Sequence, residues 1–555
     1  MEHHTPATSS AKRRDAAVTN GFLLLTVFLA GIGTLGVEMI ASRLLAPYFG
    51  TSQPVWAVVI GLTLIYLSIG YRLGGSLADR RPEQRLLFQI IVWAGLCTAF
   101  IPILSDPILR FSQQALLLFR VGSFVGALFA VLLLFSVPVI LMAMVSPFAI
   151  RLQLARAQGG IETAGGIAGS ISAISTVGSI LGTFVTVLYL IPTIGTMRTT
   201  YLFAFFLMII GLIGLRDWRY FLMPAIAAAL AFYTLNVQTN IKSADCDRCT
   251  LIHEEESAYN YIQVIRQEVV AGDAIRLMLN EGLATHSIYY TRFEDTGDPI
   301  DLLSGGGPWD YFAVAPYFYP ERDPTTVNSM LMLGAATGTA PQQFLAIYGA
   351  DSRVDAVEID PSIVEVGRTF FALEDASVSS QYPDYHVHTA DARYWLETQA
   401  DTYDVIAMDA YHQPYIPFHL TTVEFFQSVK THLNEDGVAV VNAGVAPNGD
   451  DRLVQTLGIT MLEVFPQIFI IDTIGGNNRI LVGVNTPVGD GVAHFEANLS
   501  QMQQPVLREV MNWAVNIARP LREFQSEDST LEPFTDDKAP VEQLIDSLIF
   551  NEVAR

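Results

Sequence analysis

Seven stretches almost free of charged residues occupy most of the first 240 positions of the chain. Most of them are near the roughly 20 residues that a helix needs to cross a bilayer. The stretches are residues 21–42, 54–78, 86–104, 121–150, 167–192, 199–215 and 220–237. The sequence therefore predicts an all-α polytopic membrane bundle of about seven helices at residues 21–240, preceded by a tail at residues 1–20.

The charges of the chain are divided unevenly between its two parts. Residues 1–249 hold 17 Lys and Arg against 10 Asp and Glu, whereas residues 250–555 hold 15 against 45. The second part has a net charge of −30 and would repel phosphate backbones, so nucleic-acid binding is not expected. Such a surface would attract a cationic small substrate, although acidity of this kind also serves simply to keep a domain soluble.

Basic residues fall in alternate loops between the apolar stretches. The basic loops hold Lys12 to Arg14, Arg80 to Arg85, Arg151 with Arg156, and Arg216 with Arg219. By the positive-inside rule, the N-terminus is cytoplasmic in a multi-pass protein of the cell membrane. Seven spans would deliver residue 250 to the outer side, and one miscounted span would reverse this, so the side of the C-terminal domain stays open.

Two features of the apolar part carry a possible function. Glu38 lies near the end of the first stretch, five residues before Arg43, which favours an interfacial ion pair over a transport or ligand role. The segment "GGSLADRRPEQR" (74–85) resembles a cytoplasmic loop of the major facilitator transporters. Beyond this part, Cys246 and Cys249 cannot complete a four-ligand zinc site, so no metal is expected.

The second part of the chain is predicted to be an α/β domain preceded by a small β unit at residues 250–300. The β unit rests on "YIQVIRQEVV" (261–270), "AIRLMLNEG" (274–282) and "HSIYY". Helix-length segments then separate strand-like runs at 329–334, 353–359, 385–389, 403–409, 437–442, 467–472 and 478–485. This alternation indicates a Rossmann-like, mostly parallel doubly wound sheet at residues 308–490, followed by a helical extension at 491–555.

Two local patterns refine this prediction. "WDYFAVAPYFY", which precedes the first strand of the alternation, is expected to be a helix. Thr421 with Glu424 three residues later predicts a capping box at the start of the helix that runs to Leu433.

The residues that close the strands form the candidate site, because ligands of doubly wound sheets bind outside the carboxyl ends of the strands. "LMLGAATGTAPQQF" (331–344) bends at Gly334 and Gly338, where absent side chains let a ligand approach the main chain. Glu358 follows about twenty residues later and is placed to accept both hydroxyls of a ribose. Asp391 closes the third strand, where it either accepts from an adenine amino group or caps a helix, and Asp409 closes the fourth.

Four strand-tip acids, counting the helix cap Asp360, in register with one glycine bend favour a purine nucleoside ligand. The absence of a P-loop lysine argues against a triphosphate. S-adenosylmethionine or a relative fits best, which indicates a fold of the S-adenosylmethionine-methyltransferase type.

At this point the sequence resembles the spermidine synthases (polyamine aminopropyltransferases), and in particular their membrane-fused relatives with an N-terminal bundle of helices. The resemblance runs from about residue 257 to 445 and includes "SAYNYIQV", "LMLNEG", "WDYF", "VEIDPSIVEVG", "TADAR", "YDVIAMDA" and "HLNEDGVAVVN". "FTDDKAPVE" near the C-terminus also looks like the fused relatives.

The resemblance implies a role for individual residues of the site. Asp409 would accept or relay the proton of an acceptor amine, and Tyr311, Glu358 and Asp391 match the family. Three positions depart from the family pattern. Asn260 stands for a glutamine near the start of the family's β unit and is expected to bind the donor. Thr337 stands for the acid that binds the aminopropyl end of decarboxylated S-adenosylmethionine, and His412 for the second acid of the "D-x-x-D" signature. Dimers or tetramers are expected by resemblance.

Three functions remain open on the sequence alone. The first is a membrane-anchored transferase that uses decarboxylated S-adenosylmethionine or S-adenosylmethionine as donor and a polyamine-like or lipid-proximal amine as acceptor. The second is an S-adenosylmethionine-dependent methyltransferase, favoured by the lost acid at Thr337. The third is a polyamine or cation transporter regulated by a nucleoside-binding domain. Glu38 and the loop at 74–85 support this alternative.

Overall fold

The computed structural model describes residues 18–49, 53–119, 123–157, 160–236, 248–269, 272–280, 284–411, 416–446, 449–526, 528, 530–545 and 547. The chain divides into two compact units. The first comprises Met1–Ala41, Val59–Ser105 and Val131–Thr239, and the second comprises Ser42–Val58, Asp106–Ala130 and Asn240–Arg555. The ends of four long helices therefore belong to the unit that contains the C-terminal half of the sequence.

The described part of the N-terminal half consists of helices and short connections. Its helices are α1 Asn20–Phe49, α2 Gln53–Arg80, α3 Gln84–Phe119, α4 Ser123–Ala143, α5 Val145–Arg156, α6 Ala164–Val185, α7 Ile191–Ile194, α8 Thr196–Leu215 and α9 Leu222–Asn236. By length and hydropathy they supply seven candidate spans: Asn20–Phe49, Val55–Arg80, Gln84–Ser112, Val125–Arg156, Ala164–Ile194, Thr196–Leu215 and Trp218–Asn236. The seven predicted spans are thus confirmed as long apolar helices.

Glycines let these helices pack backbone to backbone in the first unit. A Cβ at Gly178 or Gly182 of α6 would collide with the main chain of Phe28 or Ile32 in α1. Such small-xxx-small spacing is how helices approach closely where no hydrophobic effect drives them together.

Among the residues that the structure describes, Glu38 does not form the predicted interfacial ion pair. The Arg43 guanidinium donates to the carbonyl oxygen of Ala258 at 2.7 Å instead. Glu38 and Arg43 are five positions apart on α1, and helix neighbours that share a face are three or four apart, so the geometry does not bring the two charges together.

The second unit contains an antiparallel four-stranded sheet in the order β1-β2-β3-β4. Its strands are β1 Cys249–Glu256, β2 Tyr261–Val269, β3 Gly272–Leu279 and β4 Thr285–Tyr290. The predicted small β unit is therefore present, and it includes an edge strand, β1, that the sequence pattern did not indicate. Its residues are only half buried, so they lack the clean alternation that marks a strand in sequence.

An eight-stranded sheet follows, in the order β12-β10-β11-β9-β8-β5-β6-β7. Its strands are β5 Ser329–Leu333, β6 Arg353–Glu358, β7 Tyr385–Thr389, β8 Tyr403–Met408, β9 Leu433–Gly444, β10 Gln467–Asp472, β11 Asn478–Val484 and β12 Arg522–Glu523. The five strands from β9 to β7 are parallel, and the other three pair antiparallel. The doubly wound sheet is confirmed, and its central strands β5 and β8 are buried on both faces.

Helices also occur in the second unit after β4. They are α10 Arg292–Thr296, α11 Thr339–Tyr348, α12 Pro361–Phe370, α13 Ala392–Glu397, α14 Val423–Thr431, α15 Arg452–Leu462, α16 Gly491–Gln501 and α17 Pro505–Asn512. The expected helix at "WDYFAVAPYFY" is a buried 3₁₀ segment, Pro308–Phe318. The C-terminal extension is only partly helical, because β12 adds a strand to the edge of the sheet.

The capping box predicted at Thr421 was wrong by one residue. The N-cap of α14 is Thr422, whose hydroxyl accepts from the Phe425 N–H. Thr421 donates to the Phe418 carbonyl instead, and Glu424 accepts the N–H of Asp536. A residue from the end of the chain thus takes the place of the expected local partner.

Candidate active site

A cavity of about 920 Å³ opens at the carboxyl ends of the parallel strands. Parallel strands that end together leave a crevice at this edge, where loops rather than regular backbone form the wall. The described lining residues that matter below are Asn260, Trp309, Gly334, Ala336, Glu358, Asp391, Asp409, Tyr411, His419, Asn442, Asn478 and Glu542. The predicted acids after β6, β7 and β8 therefore face one shared space.

Gly334 makes the turn after β5 possible. Its φ is +84°, in the left-handed region, and a Cβ there would lie 2.6 Å from the Ala410 Cα. The turn after β5 thus packs directly on the turn after β8, which holds Asp409. The missing side chain serves this approach of main chain to main chain as well as lining the cavity.

Glu358 lies at the end of β6, where the turn after β5 fixes one of its oxygens and the turn after β6 fixes the other. The Ala336 N–H donates to Oε2 at 2.9 Å and the Asp360 N–H donates to Oε1 at 3.0 Å. Burial raises the pKa of Glu358 to about 7, and the backbone hydrogen bonds oppose this shift. A carboxylate oxygen has two lone pairs, so each can still accept from one hydroxyl of a bound diol.

Asp391 caps a helix, as one of the two sequence alternatives predicted, and it also lines the cavity. Its Oδ1 accepts from the Tyr394 N–H at 3.0 Å and begins α13. Its Oδ2 lies 3.1 Å from Nε2 of His419, which also lines the cavity. The capping bond orients the carboxylate, and the imidazole extends the hydrogen-bonding edge that a nucleobase would meet.

Asp409 follows β8 and is held on both oxygens. The Trp309 indole N–H donates to Oδ2 at 2.9 Å, and the Asn442 amide donates to Oδ1 at 2.8 Å. Burial raises the pKa of Asp409 to about 6, while these two bonds favour the charged form. A carboxylate with a pKa of about 6 is a better proton acceptor than an ordinary one near 4.

The partners of Asp409 were not found by the sequence analysis. Asn442 is near the end of β9, and its Oδ1 accepts from the Asn478 amide at 2.8 Å. The Tyr411 hydroxyl donates to the Asn442 carbonyl at 3.0 Å. The rule that strand ends hold ligand groups could have singled out Asn442, but Trp309 comes from the buried 3₁₀ segment and no spacing connects it to Asp409.

Asn260, predicted to bind the donor, lines the cavity beside the small β sheet. Its amide donates to Oδ2 of Asp360 at 2.9 Å, and its Oδ1 accepts from the Asn280 amide at 2.9 Å. Ser257 also donates to Asp360. The helix cap of α12 therefore anchors the loop before β2, and one N–H of the Asn260 amide remains for a ligand.

Three predicted site residues lie behind the cavity wall. Thr337, Gly338 and Tyr311 are described residues that do not line the cavity, and Thr337 and Tyr311 are fully buried. The Thr337 N–H donates to Ser287, while its hydroxyl has no hydrogen-bond partner among the described residues. The structure therefore does not place these three residues where they could contact a ligand in the cavity.

The reason is the direction of the turn. Residue 336 has a φ of +47°, and Gly338, with a φ of +93°, begins α11. The chain therefore turns inward between them, and a Cβ at Gly338 would meet Tyr385 rather than the cavity. His412, also predicted at the site, lies outside the described residues.

The lining groups divide by chemistry along the cavity. Glu358, Asp391 and His419 are hydrogen-bonding groups suited to a ribose and a base, whereas Asp409 sits among Trp309 and the two asparagines. A nucleoside-linked electrophile bound at the first set would place its reacting carbon towards the second. The arrangement suits group transfer to a nucleophile whose proton Asp409 can take.

Comparison with known proteins gives a family match over part of the chain. Residues 330–473 match the model described as "Spermine/spermidine synthase domain". This segment runs from β5 to the end of β10 and contains Glu358, Asp391 and Asp409. The match thus covers the parallel sheet and the acids of the site.

Among relatives, the chain is 31% identical over 320 residues to a "Probable polyamine aminopropyl transferase" of Bifidobacterium longum. That similarity covers 54% of this chain and 65% of the relative. It is also 26% identical over 273 residues to a "Polyamine aminopropyltransferase" of Vibrio vulnificus, covering 48% of this chain and 82% of that one. The chain thus spans slightly under two thirds of the Bifidobacterium relative.

A solved structure that is similar is the crystal structure of a probable spermidine synthase from Corynebacterium glutamicum. The similarity has 22% identity and a TM-score of 0.37, and it covers 51% of this chain and 99% of that one.

Proposed function

We propose that the protein is a membrane-anchored transferase that uses an S-adenosyl sulfonium donor, which the match of residues 330–473 to the spermine/spermidine synthase model supports. The favoured reaction is transfer of an aminopropyl group from decarboxylated S-adenosylmethionine to a polyamine-like amine. The observation that carries the proposal is that Glu358, Asp391 and Asp409 line one cavity. The relatives named as aminopropyltransferases support the choice of reaction.

The nucleoside would be held by side chains that are already fixed. Glu358 accepts from the ribose hydroxyls, and Asp391 with His419 faces the base. Because backbone N–H groups and the helix cap orient both carboxylates, their position does not depend on a bound ligand. Little conformational entropy would be lost when the donor binds.

Asp409 would take the proton of the acceptor. The donor supplies a methylene carbon made electrophilic by the neighbouring sulfonium. A C–N bond forms as the C–S bond breaks, the electron pair of the C–S bond stays on sulfur, and the proton lost from the amine goes to Asp409. Trp309 and Asn442 hold the carboxylate while this happens.

The helical N-terminal half supports the membrane anchor. Its seven candidate spans are long and apolar enough to cross a bilayer. The acidic C-terminal half would then work at a membrane surface and attract cationic amines.

The test is calorimetric titration of the full chain in lipid nanodiscs with methylthioadenosine, decarboxylated S-adenosylmethionine and S-adenosylmethionine. We expect the decarboxylated donor and methylthioadenosine to bind, and mass spectrometry to find the donor's aminopropyl group on an added diamine. Asp409→Asn should bind methylthioadenosine but form no product. Transfer of a methyl group alone would replace the proposal by the methyltransferase alternative, and absence of all binding would refute it.

The Asp409→Asn variant also distinguishes transport from group transfer. If labelled polyamine enters proteoliposomes equally with the wild type and with Asp409→Asn, and neither transfers a group, the transporter interpretation stands instead.

A further inference from the structure

Residues 534–542 are here called the C-terminal strap. They follow the segment that matches the family model, residues 330–473, and pack near Asp391 and His419 at the cavity wall. The Phe534 N–H donates to the Thr460 hydroxyl at 2.9 Å, and the Phe534 carbonyl accepts from the Val423 N–H at 2.9 Å. Phe534 and Val541 are buried in the same core as the parallel sheet. The strap is therefore an integral layer of the domain.

Asp536 is the charged centre of the strap. Arg393 donates to both of its oxygens, Nη1 to Oδ1 at 2.7 Å and Nη2 to Oδ2 at 2.8 Å. Thr422, the cap of α14, donates to Oδ1 at 2.7 Å. The bidentate Arg393 hydrogen bonds, the largest cause, hold the pKa of Asp536 below its usual range, so the pair stays ionised at neutral pH.

Arg393 connects this acid to the two cavity side chains that touch each other. It is two residues after Asp391 on α13, and its Nη1 also donates to the carbonyl oxygen of His419 at 3.2 Å. The same guanidinium therefore holds the backbone of His419 beside the helix that Asp391 caps. The contact of 3.1 Å between Asp391 Oδ2 and His419 Nε2 therefore depends on the hydrogen bond from Arg393 to the His419 carbonyl.

The strap also reaches the cavity itself. Glu542 is a lining residue together with Pro417, Phe418, His419 and Leu420. The end of the chain thus contributes to the wall on the side where Asp391 and His419 lie.

We propose that Arg393 and Asp536 are positioning residues, which fix Asp391 and His419 as the edge that recognises an adenine base. This inference rests on the proposed nucleoside-binding function. Asp391 Oδ2 has a lone pair left for the exocyclic amino group, and the imidazole sets where that amino group can lie. A base that lacks the exocyclic amino group cannot donate to Asp391, so its affinity should not depend on how Asp391 and His419 are positioned.

The experiment measures binding of methylthioadenosine and of methylthioinosine to the full chain in nanodiscs. Inosine carries a carbonyl oxygen where adenosine carries the amino group. For Asp536→Asn and Arg393→Lys we expect the Kd of methylthioadenosine to rise about tenfold while that of methylthioinosine changes less than about twofold. The loss of selectivity is the readout that a purely structural role would not produce.

The matched control is Glu532→Gln, which removes an exposed ion pair with Lys538 near the same segment. It should leave both affinities unchanged. A thermal melt shows whether each variant is folded.

The outcomes are distinct. Wild-type selectivity in folded Asp536→Asn and Arg393→Lys, or equal weakening for both ligands, overturns the positioning role and leaves the proposed function intact. Failure of the wild type to bind either ligand overturns the proposed function and this inference with it.

Discussion

The Trp309 indole N–H donates to Oδ2 of Asp409 across 2.9 Å, although the two residues are 100 positions apart in the chain. The bond joins the buried 3₁₀ segment to the end of β8. It gives the central acid of the cavity a fixed direction and opposes part of the rise in pKa that burial causes. Several predictions concern this acid and its neighbours.

The first prediction is an acid limb in the pH profile that belongs to Asp409. The carboxylate must be deprotonated to take a proton, so kcat at saturating donor, where donor binding through Glu358 no longer limits the rate, should fall below pH 6, because the pKa of about 6 places the protonated form in excess. Asp409→Asn should lower kcat/KM at neutral pH by about 10²- to 10⁴-fold. The measurement is the initial rate of product formation from pH 5 to pH 9.

The second prediction concerns Trp309. Its N–H favours the charged form of Asp409, so Trp309→Phe should raise the apparent pKa of the acid limb by about 0.5 to 1 unit. Trp513→Phe is the matched control, because the Trp513 indole donates to Glu509 at 2.9 Å away from the cavity. An unchanged acid limb in Trp309→Phe would contradict the assignment of the limb to Asp409.

The third prediction is that nucleoside affinity depends on pH through Glu358. Its pKa of about 7 lies above the usual value because of burial, so the ionised form that accepts from two ribose hydroxyls prevails only above pH 7. The Kd of methylthioadenosine should therefore tighten from pH 6 to pH 8, by at most about tenfold for each unit of pKa change on binding.

Glu358→Gln cannot ionise and tests this assignment. The variant should bind methylthioadenosine more weakly than the wild type at pH 8 and show no comparable change with pH. A wild-type affinity that is flat from pH 6 to pH 8 would show that the ionised carboxylate is not needed.

The fourth prediction separates steric contact from backbone strain at Gly334. Gly334→Ala should be destabilising because it combines a φ of +84° with a Cβ placed 2.6 Å from Ala410. Gly349→Ala has the strain alone, since its φ is +112° and no atom lies within 4 Å of the added Cβ. We expect Gly334→Ala to cost at least about 2 kcal/mol more than Gly349→Ala, measured as thermal or denaturant unfolding of the full chain.

Activity gives a second readout for that pair. Because the turn at Gly334 packs on Ala410, its displacement should also shift Asp409 and reduce turnover, whereas Gly349→Ala should leave turnover close to wild type. Equal effects of the two variants would argue against a tight contact between the turns.

The fifth prediction uses the hydroxyl of Thr337, which has no hydrogen-bond partner in the described part of the chain. Thr337→Val keeps the shape and removes a buried group without a hydrogen bond, so stability should be equal to or up to about 1 kcal/mol above the wild type. Thr337→Asp buries a carboxylate in the same place and should destabilise the domain by about 3 kcal/mol or more. Stimulation of aminopropyl transfer by Thr337→Asp would instead show that this position reaches the donor.

The sequence predicted those parts of the site that lie at the ends of its strands. Glu358, Asp391 and Asp409 each close a strand of a parallel sheet, and parallel strands end at one edge whatever their order in the sheet. Their approach to a common cavity could therefore be deduced from the alternation of strands and helices. The candidate membrane spans could be predicted equally directly from the apolar stretches, because hydropathy and length alone define a candidate span.

Other features were decided by the tertiary structure. Thr337 and Gly338 belong to the same bend as Gly334, but the positive φ at 334, 336 and 338 turns their side of the chain inward, away from the cavity. Spacing says which residues form a bend and does not say which of them face a ligand.

What the sequence by itself determined is the division into an apolar helical part and an acidic α/β part, together with the acids at the strand ends, because periodicity and charge are local properties of the chain. Only the tertiary structure decided which groups surround those acids. Trp309, Asn442, His419 and Asp536 reach the cavity wall or its support from distant segments, through hydrogen bonds that form when buried polar groups must find partners. No local pattern encodes such partners, since each is set by how the layers pack.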